Sequence, residues 1–177
     1  EHRAVREACG LFDVSHMGEF MIRGPEALEL VQRISVNDAS KIEIGQAQYS
    51  AMCLDTGCVI DDLIIYRFPD HYMLVVNASN MEKDWAWVSR HAADFDVEIE
   101  DVSDATALLA LQGPRAREVL RPLANLDVDD VHYYRFLEGE VAGVPAIISG
   151  TGYTGEDGFE LYVPADRAAG LWRALLE

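Results

Sequence analysis

Two adjacent carboxylates lie inside an otherwise apolar run, GCVIDDLIIYR, at residues 57–67. Charged side chains in such a run are costly to bury unless they are exposed or serve a function. Because strand side chains alternate between faces, Asp61 and Asp62 are expected on opposite faces, each apolar beyond the pair. At least one carboxylate should therefore lie near buried surface. The residues alone leave two interpretations equally open, a functional pair and a solvated pair beside a turn.

A second candidate for chemistry is the glycine-rich segment GTGYTGEDGFELYV at residues 150–163. Its four glycines indicate unusual backbone dihedrals or a close approach of the backbone to a ligand. Alternation places Glu160 on the strand face opposite Phe159, next to this glycine turn. Without further information, a plain hairpin with a solvent-facing Glu160 is the simpler interpretation.

The segment FDVSHMGEF contains a histidine and a serine that could suggest catalysis. His16 has no recognisable partner, which is more typical of a hydrogen-bonded structural histidine than of an acid or base. Ser15 lacks the Gly-x-Ser-x-Gly elbow of a hydrolase. We therefore place no reaction on this segment from its residues alone.

The charge balance excludes several classes of partner. Fourteen Lys and Arg against 31 Asp and Glu give a formal net charge of -17. Such a surface repels nucleic acid and anionic lipid, so neither is expected to bind. No apolar run approaches the roughly 20 residues of a membrane-spanning helix. Three cysteines without metal-ligand spacing indicate reduced thiols of a cytosolic protein and no metal site.

Both ends of the sequence suggest that it is part of a longer chain, here called the parent protein. Residue 1 is Glu rather than Met. The last residues, ADRAAGLWRALLE, stop inside an amphipathic helical pattern without a C-terminal cap. We therefore expect the parent protein to continue in both directions.

The pattern of elements predicts an α+β fold with mainly antiparallel sheets and packed helices. Asp55-Thr56-Gly57 joins two extended runs and indicates a hairpin. Ser79 and Glu82 form an S-x-x-E pattern that predicts a capped helix start. No G-x-G-x-x-G or P-loop pattern is present, which weakens a nucleotide-binding interpretation.

Two segments of the chain resemble each other, which would be explained by a fold of two related halves. FMIRGPEALELV and LALQGPRAREVL each contain a strand, a Gly-Pro corner and a helix with similar apolar spacing. Gly-Pro is also simply a good way to turn from a strand into a helix, so both explanations stay open. The provisional sub-parts are residues 1–55 with 140–177, and residues 56–139.

Several motifs together resemble a known family. LFDVSHMGE, YSAMCLDTGCVIDDLIIYR, LVVNASNMEKD, LALQGP and GYTGEDGFEL occur in the order and approximate spacing of the T-protein family, the aminomethyltransferases of the glycine cleavage system. The resemblance covers nearly the whole chain. It implies an incomplete folate-binding aminomethyltransferase domain, without the C-terminal barrel domain of that family.

The resemblance also implies roles for individual residues. The catalytic aspartate of the family's G-G-x-x-D-D motif is matched here by Asp61. One departure is Cys58, which replaces the second glycine of that motif and raises the expectation of a tighter or shifted turn. The positions that match the family's folate pocket are Tyr49, Tyr153, Glu160, Met17, Val75 and Asn77.

The implied reaction transfers an aminomethyl group from the lipoyl arm of the H-protein to tetrahydrofolate. Ammonia leaves, and 5,10-methylenetetrahydrofolate forms without a metal. Two alternatives remain on the same scaffold. One is a folate-dependent demethylase or the folate domain of a sarcosine- or dimethylglycine-oxidising protein. The other is a non-catalytic folate-binding module, whose cysteine-bearing K-G-C-Y-x-G-Q-E segment is replaced here by GYTGEDGFE.

Overall fold

The computed structural model describes residues 2–177 as an α+β fold with antiparallel sheets, which confirms the predicted fold class. Ten strands and five α-helices occur in this range. The strands are β1 Gly10–Asp13, β2 Gly18–Arg23, β3 Gln46–Cys53, β4 Val59–Arg67, β5 His71–Val76, β6 Glu98–Asp101, β7 Thr106–Gln112, β8 Phe136–Val141, β9 Val144–Ser149 and β10 Gly158–Pro164. The helices are α1 His2–Glu7, α2 Ala27–Ile34, α3 Met81–Ala92, α4 Ala116–Leu120 and α5 Ala168–Leu176.

The chain forms two compact units whose bounds differ from the provisional sub-parts, 1–55 with 140–177 and 56–139. The continuous unit is His16–Ser103, and the discontinuous unit is Glu1–Ser15 with Asp104–Glu177. Two pairings account for the difference. Strand β1 pairs with β7, and the β3–β4 hairpin stays whole, whereas a boundary after residue 55 would divide its turn. Long-range pairing of this kind leaves no trace in local hydrophobic runs.

The continuous unit is a five-stranded sheet in the order β3-β4-β5-β2-β6. Helix α2 packs on one face because its apolar residues recur at helical spacing, and Leu30, Val31 and Ile34 are all buried. They join Phe20 of β2 and Ile65 of β4 in one core cluster. This face, covered by α2 and α3, is called here the helix face of the sheet.

The discontinuous unit has its own five-stranded sheet, in the order β1-β7-β10-β9-β8. Alternate residues of β7 and β10, among them Leu111 and Phe159, are buried in its core. Leu171 and Leu175, one turn apart on α5, pack against the same cluster. The C-terminal amphipathic pattern thus forms a helix that covers this core.

The two units repeat one topology. Counted from its Gly-Pro strand, the continuous unit places its strands in the order second, third, fourth, first, fifth. The discontinuous unit follows the same order, with β1 from the N-terminus in the fifth place. Gly24 and Gly113 occupy the two corners with positive φ, 124° and 133°. A Cβ at either position would lie 2.6 Å from a backbone oxygen, so both corners require glycine. This equivalence supports a true repeat.

Helix α3 forms where it was predicted, but its start differs from the expected capping box. A short 3₁₀ turn, Ala78–Asn80, precedes the helix, and the N-cap residue Asn80 makes no side-chain capping bond. The inward stripe of α3 consists of Asp84, Val88 and His91. Within residues 2–177, no helix is long and apolar enough to cross a membrane.

Candidate functional site

The hairpin of β3 and β4 carries the paired carboxylates. Its turn closes through hydrogen bonds from Leu54 N to Cys58 O, 2.9 Å, and from Gly57 N to Leu54 O, 2.8 Å. Gly57 has φ 84°, whereas Cys58 does not have a positive φ. The cysteine that replaces the family's second glycine therefore imposes no backbone strain on this turn.

Asp61 and Asp62 lie on opposite faces of the sheet, as alternation predicts. Asp61 shares the helix face with Leu63 and is only 8% exposed. Asp62 lies on the opposite face and is partly exposed. The expectation that at least one carboxylate lies near buried surface is confirmed, and the buried one is Asp61.

Hydrogen bonds to both oxygens hold the Asp62 carboxylate. The Tyr49 hydroxyl donates to Oδ2 at 2.6 Å, and Asn77 Nδ2 donates to Oδ1 at 2.7 Å. The bond from Tyr49, with a smaller contribution from Asn77, holds the pKa of Asp62 below its ordinary value despite partial burial. Asp62 is therefore a preorganised anion near neutral pH.

Asn77 connects the two carboxylates. Its Nδ2 atom also lies 3.2 Å from each oxygen of Asp61, so one amide group serves both acids. Asn77 follows β5 directly, and Gly18 pairs with Val76, which places Met17 at the same end of neighbouring strands. Val75 lies on the Asp62 face. The continuous unit thus gathers five of the residues proposed from sequence: Tyr49, Asp61, Val75, Asn77 and Met17.

The remaining two proposed residues, Glu160 and Tyr153, belong to the discontinuous unit. Glu160 lies on β10 between Ala110 of β7 and Ser149 of β9, on the face opposite the core residue Phe159. Burial raises the pKa of Glu160, while a hydrogen bond donated by Thr151 to its Oε2 atom lowers it. Tyr153 is 99% exposed.

The glycine-rich loop at residues 150–158 is built around the buried side chain of Gln112. Gln112 Nε2 donates to the backbone oxygens of Thr151 and Phe159 at 3.2 Å, and its Oε1 accepts from Thr154 Oγ1 at 2.8 Å. A Cβ at Gly158 would lie 2.6 Å from Gln112 Nε2. The loop is glycine-rich because its backbone approaches the Gln112 side chain closely and because Gly152 and Gly155 have positive φ, 150° and 74°. The expectation of unusual dihedrals is therefore confirmed.

We expect Gln112→Leu to loosen this loop. The apolar replacement removes the hydrogen bonds that Gln112 makes with Thr151, Phe159 and Thr154, at a cost of roughly 2–4 kcal/mol in the free energy of unfolding. Urea unfolding measures this cost, and limited proteolysis should cut between residues 151 and 157. Thr154→Val, which removes one donor to Gln112, serves as the smaller matched change. Equal stability and unchanged proteolysis would show that Gln112 does not organise the loop.

Sequence reasoning missed several residues of these two clusters. Glu19 on β2 is 1% exposed, and within residues 2–177 neither of its oxygens has a hydrogen-bond partner. Burial, together with repulsion from Asp101, raises the pKa of Glu19 to about 8. The signal in the sequence is a charged residue inside the otherwise mostly apolar run GEFMIR. Tyr134 was also missed: burial chiefly raises its pKa, the charge of Glu160 adds to the rise, and its φ is 56°.

The chain is thus an α+β protein built from two repeats of one five-stranded sheet. One repeat carries a hydrogen-bonded carboxylate pair, and the other carries a glycine-rich loop beside a partly buried glutamate. The family model described as "GCVT N-terminal domain" matches residues 1–177. The chain belongs to this family, which confirms the resemblance drawn from the motifs.

Individual relatives agree with this assignment. An aminomethyltransferase from Moorella thermoacetica is 54% identical over 177 residues, which cover 99% of this chain and 48% of the relative. The crystal structure of glycine cleavage system aminomethyltransferase T from Bartonella henselae superposes with a TM-score of 0.90 at 35% identity, covering 99% of this chain and 47% of that one. The chain therefore spans about half the length of these relatives.

A more distant neighbour shares the fold alone. The heterotetrameric sarcosine oxidase from Corynebacterium sp. U-96 contains a chain with a TM-score of 0.68 and 16% identity. The match covers 97% of this chain and 86% of that one. At this identity, the likeness carries no conclusion about substrate.

Proposed function

We propose that the parent protein is the aminomethyltransferase of the glycine cleavage system. It transfers the one-carbon unit of aminomethyl-lipoyl H-protein to tetrahydrofolate. The observation that carries the proposal is the Asp62 carboxylate, held by Tyr49 and Asn77, in a chain 54% identical to a relative named aminomethyltransferase. Lipoylated H-protein is the proposed partner, and tetrahydrofolate is the proposed co-substrate.

The transfer has a simple balance of bonds and protons. The aminomethyl carbon loses its bonds to sulfur and to the amino nitrogen and gains bonds to two folate nitrogens. Those nitrogens give up two protons, one of which leaves on ammonia while the other returns to the lipoyl sulfur. The carbon passes through a cationic, iminium-like state, which a fixed carboxylate stabilises electrostatically. A carboxylate can also accept or relay a proton during ring closure.

The family pattern assigns this role to Asp61, and that assignment stays a prediction. The contacts favour different roles for the two acids. Asp62 contacts the folate nitrogens, and Asp61 supports Asp62 from the helix face. Asp62 is the partly exposed member of the pair, and Tyr49 holds it in one orientation. A carboxylate covered on the helix face is poorly accessible to a substrate, whereas one fixed on the opposite face can contact it.

Glu160 is proposed to bind the pterin ring. Adjacent N–H donors on that ring suit a carboxylate, which can accept two charge-assisted hydrogen bonds. Glu160 fits this role because it is partly buried and Thr151 fixes one of its oxygens. Tyr153, exposed in the loop organised by Gln112, is proposed to contact the same ligand. Met17 and Val75 of the continuous unit are proposed as further contacts of tetrahydrofolate.

Turnover by the purified parent protein tests the proposal. With aminomethylated H-protein and tetrahydrofolate, we expect ammonia and 5,10-methylenetetrahydrofolate to form in equal amounts. H-protein that lacks its lipoyl group is the matched control and should give neither product.

Two other outcomes would each contradict the proposal. Turnover of sarcosine or dimethylglycine that does not require H-protein would indicate a folate-dependent demethylase instead. Tight binding of tetrahydrofolate without any turnover would indicate a folate-binding module.

A further inference from the structure

A fully buried acid on α3 has no place in the reaction described above. Asp84 is 0% exposed, and among residues 2–177 no N–H or hydroxyl group donates a hydrogen bond to either of its carboxyl oxygens. It occupies the inward stripe of the helix with Val88 and His91, where an apolar residue is usual. A buried carboxyl without a partner is costly, so its presence requires a compensating interaction.

The neighbour that interacts with Asp84 is Asp61. Lys83, the preceding residue, donates from Nζ to the backbone oxygen of Ile60 at 2.6 Å and so ties the start of α3 to β4 beside Asp61. The charged groups that act on Asp84 are Asp61 and Asp62 of β4 and Lys83 of its own helix. Burial first, and then a hydrogen bond with Asp61 and its negative charge, raise the pKa of Asp84 to about 7.

Two neighbouring carboxyl groups in a buried place share a proton more readily than they both ionise. The direction of the pKa shift places this proton on Asp84 below neutral pH. Asp84 can then donate toward Asp61. Asp61 in turn accepts from the Asn77 amide, which also donates to Asp62 Oδ1. A continuous series of polar groups thus connects the buried acid to the partly exposed carboxylate.

We infer that Asp84 is a protonated positioning residue that acts through Asp61 and Asn77 to fix the orientation of the Asp62 carboxylate. The proton on Asp84 removes one negative charge from the cluster. It also satisfies an Asp61 oxygen, so that the Asn77 amide keeps its bond to Asp62. The effect on catalysis rests on the proposed aminomethyltransferase reaction, whereas the protonation state of Asp84 does not.

Three variants of the parent protein test the positioning role. Asp84→Ala removes the donor and should lower kcat roughly 10-fold or more, with little change in the KM for tetrahydrofolate. Asp84→Asn keeps a neutral donor of the same shape and should restore kcat to within about threefold of the wild type. Ser89→Ala, which removes the buried hydroxyl of a partly buried residue on α3, is the matched control and should leave turnover unchanged.

A pH series supplies a readout that packing alone would not change. Above pH 7, ionised Asp84 faces the Asp61 carboxylate, so turnover of the wild type should fall, whereas Asp84→Asn should lack this alkaline loss. This comparison keeps the inference testable if Asp84→Ala fails to fold. An alkaline loss equal in the wild type and Asp84→Asn would overturn the role of Asp84.

Unfolding by urea tests the protonation state independently of activity. A carboxyl whose pKa is raised on folding stabilises the folded state below its unfolded pKa, and this contribution is lost as the pH rises through the folded value. Between about pH 4 and 7, the urea midpoint of the wild type should therefore fall relative to Asp84→Asn. Parallel midpoints would overturn the inference.

The two kinds of measurement separate the two proposals. If the wild type shows no aminomethyl transfer but the midpoints diverge, the proposed function fails while protonated Asp84 stands. If transfer occurs and Asp84→Ala keeps kcat within about threefold, the proposed function stands and the positioning role fails.

Discussion

Replacing Asp62 by Asn in the parent protein should lower kcat for aminomethyl transfer by about 100-fold to 1,000-fold, the range for loss of one preorganised electrostatic group. The amide has nearly the same shape and can still accept from Tyr49, but it loses the bond from Asn77 and carries no charge to stabilise the cationic carbon. Because Asp62 acts mainly on the reacting carbon, the affinity for tetrahydrofolate should stay within about threefold. Steady-state kinetics and calorimetric titration measure the two quantities.

The matching change at Asp61 determines which carboxylate meets the substrate. Asp61→Asn should lower kcat by a smaller factor, about 10-fold, because this buried side chain acts on Asp62 through Asn77. Asp55→Asn is the surface control, since Asp55 lies in the same hairpin and its side chain is 86% exposed. A larger loss at Asp61 than at Asp62 would return the catalytic role to Asp61, as the family pattern predicts.

Local pattern was sufficient for much of the fold. The turn residues Asp55-Thr56-Gly57 predicted the β3–β4 hairpin because glycine supplies the positive φ that such a turn needs. The apolar spacing after the Gly-Pro corner of FMIRGPEALELV predicted α2, whose buried residues recur at that spacing. The Gly-Pro echo pointed to a repeat, and the shared strand order of the two units supports it.

The division into units could not be predicted in the same way. Strand β1 joins a sheet whose other strands begin almost 100 residues later, because Gly10 pairs with Gln112. Nothing in a four-residue strand specifies so distant a partner. The sub-parts proposed from sequence kept neighbouring residues together, as local reasoning must, and therefore missed this pairing.

Local sequence patterns were also insufficient to predict which side chains of the site are buried. Alternation correctly separated Asp61 from Asp62, but it could not say which of them is buried, because the strand is apolar on both faces. That depends on where α2 and α3 pack. The role of Asp84 could not be predicted from the sequence for a related reason, since Asp84 interacts with Asp61 only when α3 packs against β4. Resemblance pointed to this motif, while burial distinguishes its two acids.

The second large effect is expected at Glu160, where Glu160→Gln should weaken tetrahydrofolate binding roughly 10-fold to 100-fold, the cost of losing hydrogen bonds to a charged group. Glutamine presents one acceptor and one donor, whereas the pterin edge offers adjacent donors that suit a carboxylate. Calorimetric titration of the parent protein measures the loss. Glu138→Gln, at an exposed position of the edge strand β8 in the same sheet, is the matched control and should bind normally.

The pH dependence of tetrahydrofolate binding by the wild type and by Glu160→Gln gives an independent check on Glu160. Burial raises the pKa of Glu160, so a growing share of the free protein carries a protonated side chain as the pH falls through that raised value. A protonated carboxyl accepts less well, and the advantage of Glu over Gln in binding should shrink toward acid pH. If Glu160→Gln binds tetrahydrofolate within about threefold of the wild type at neutral pH, the pterin must be held by other groups.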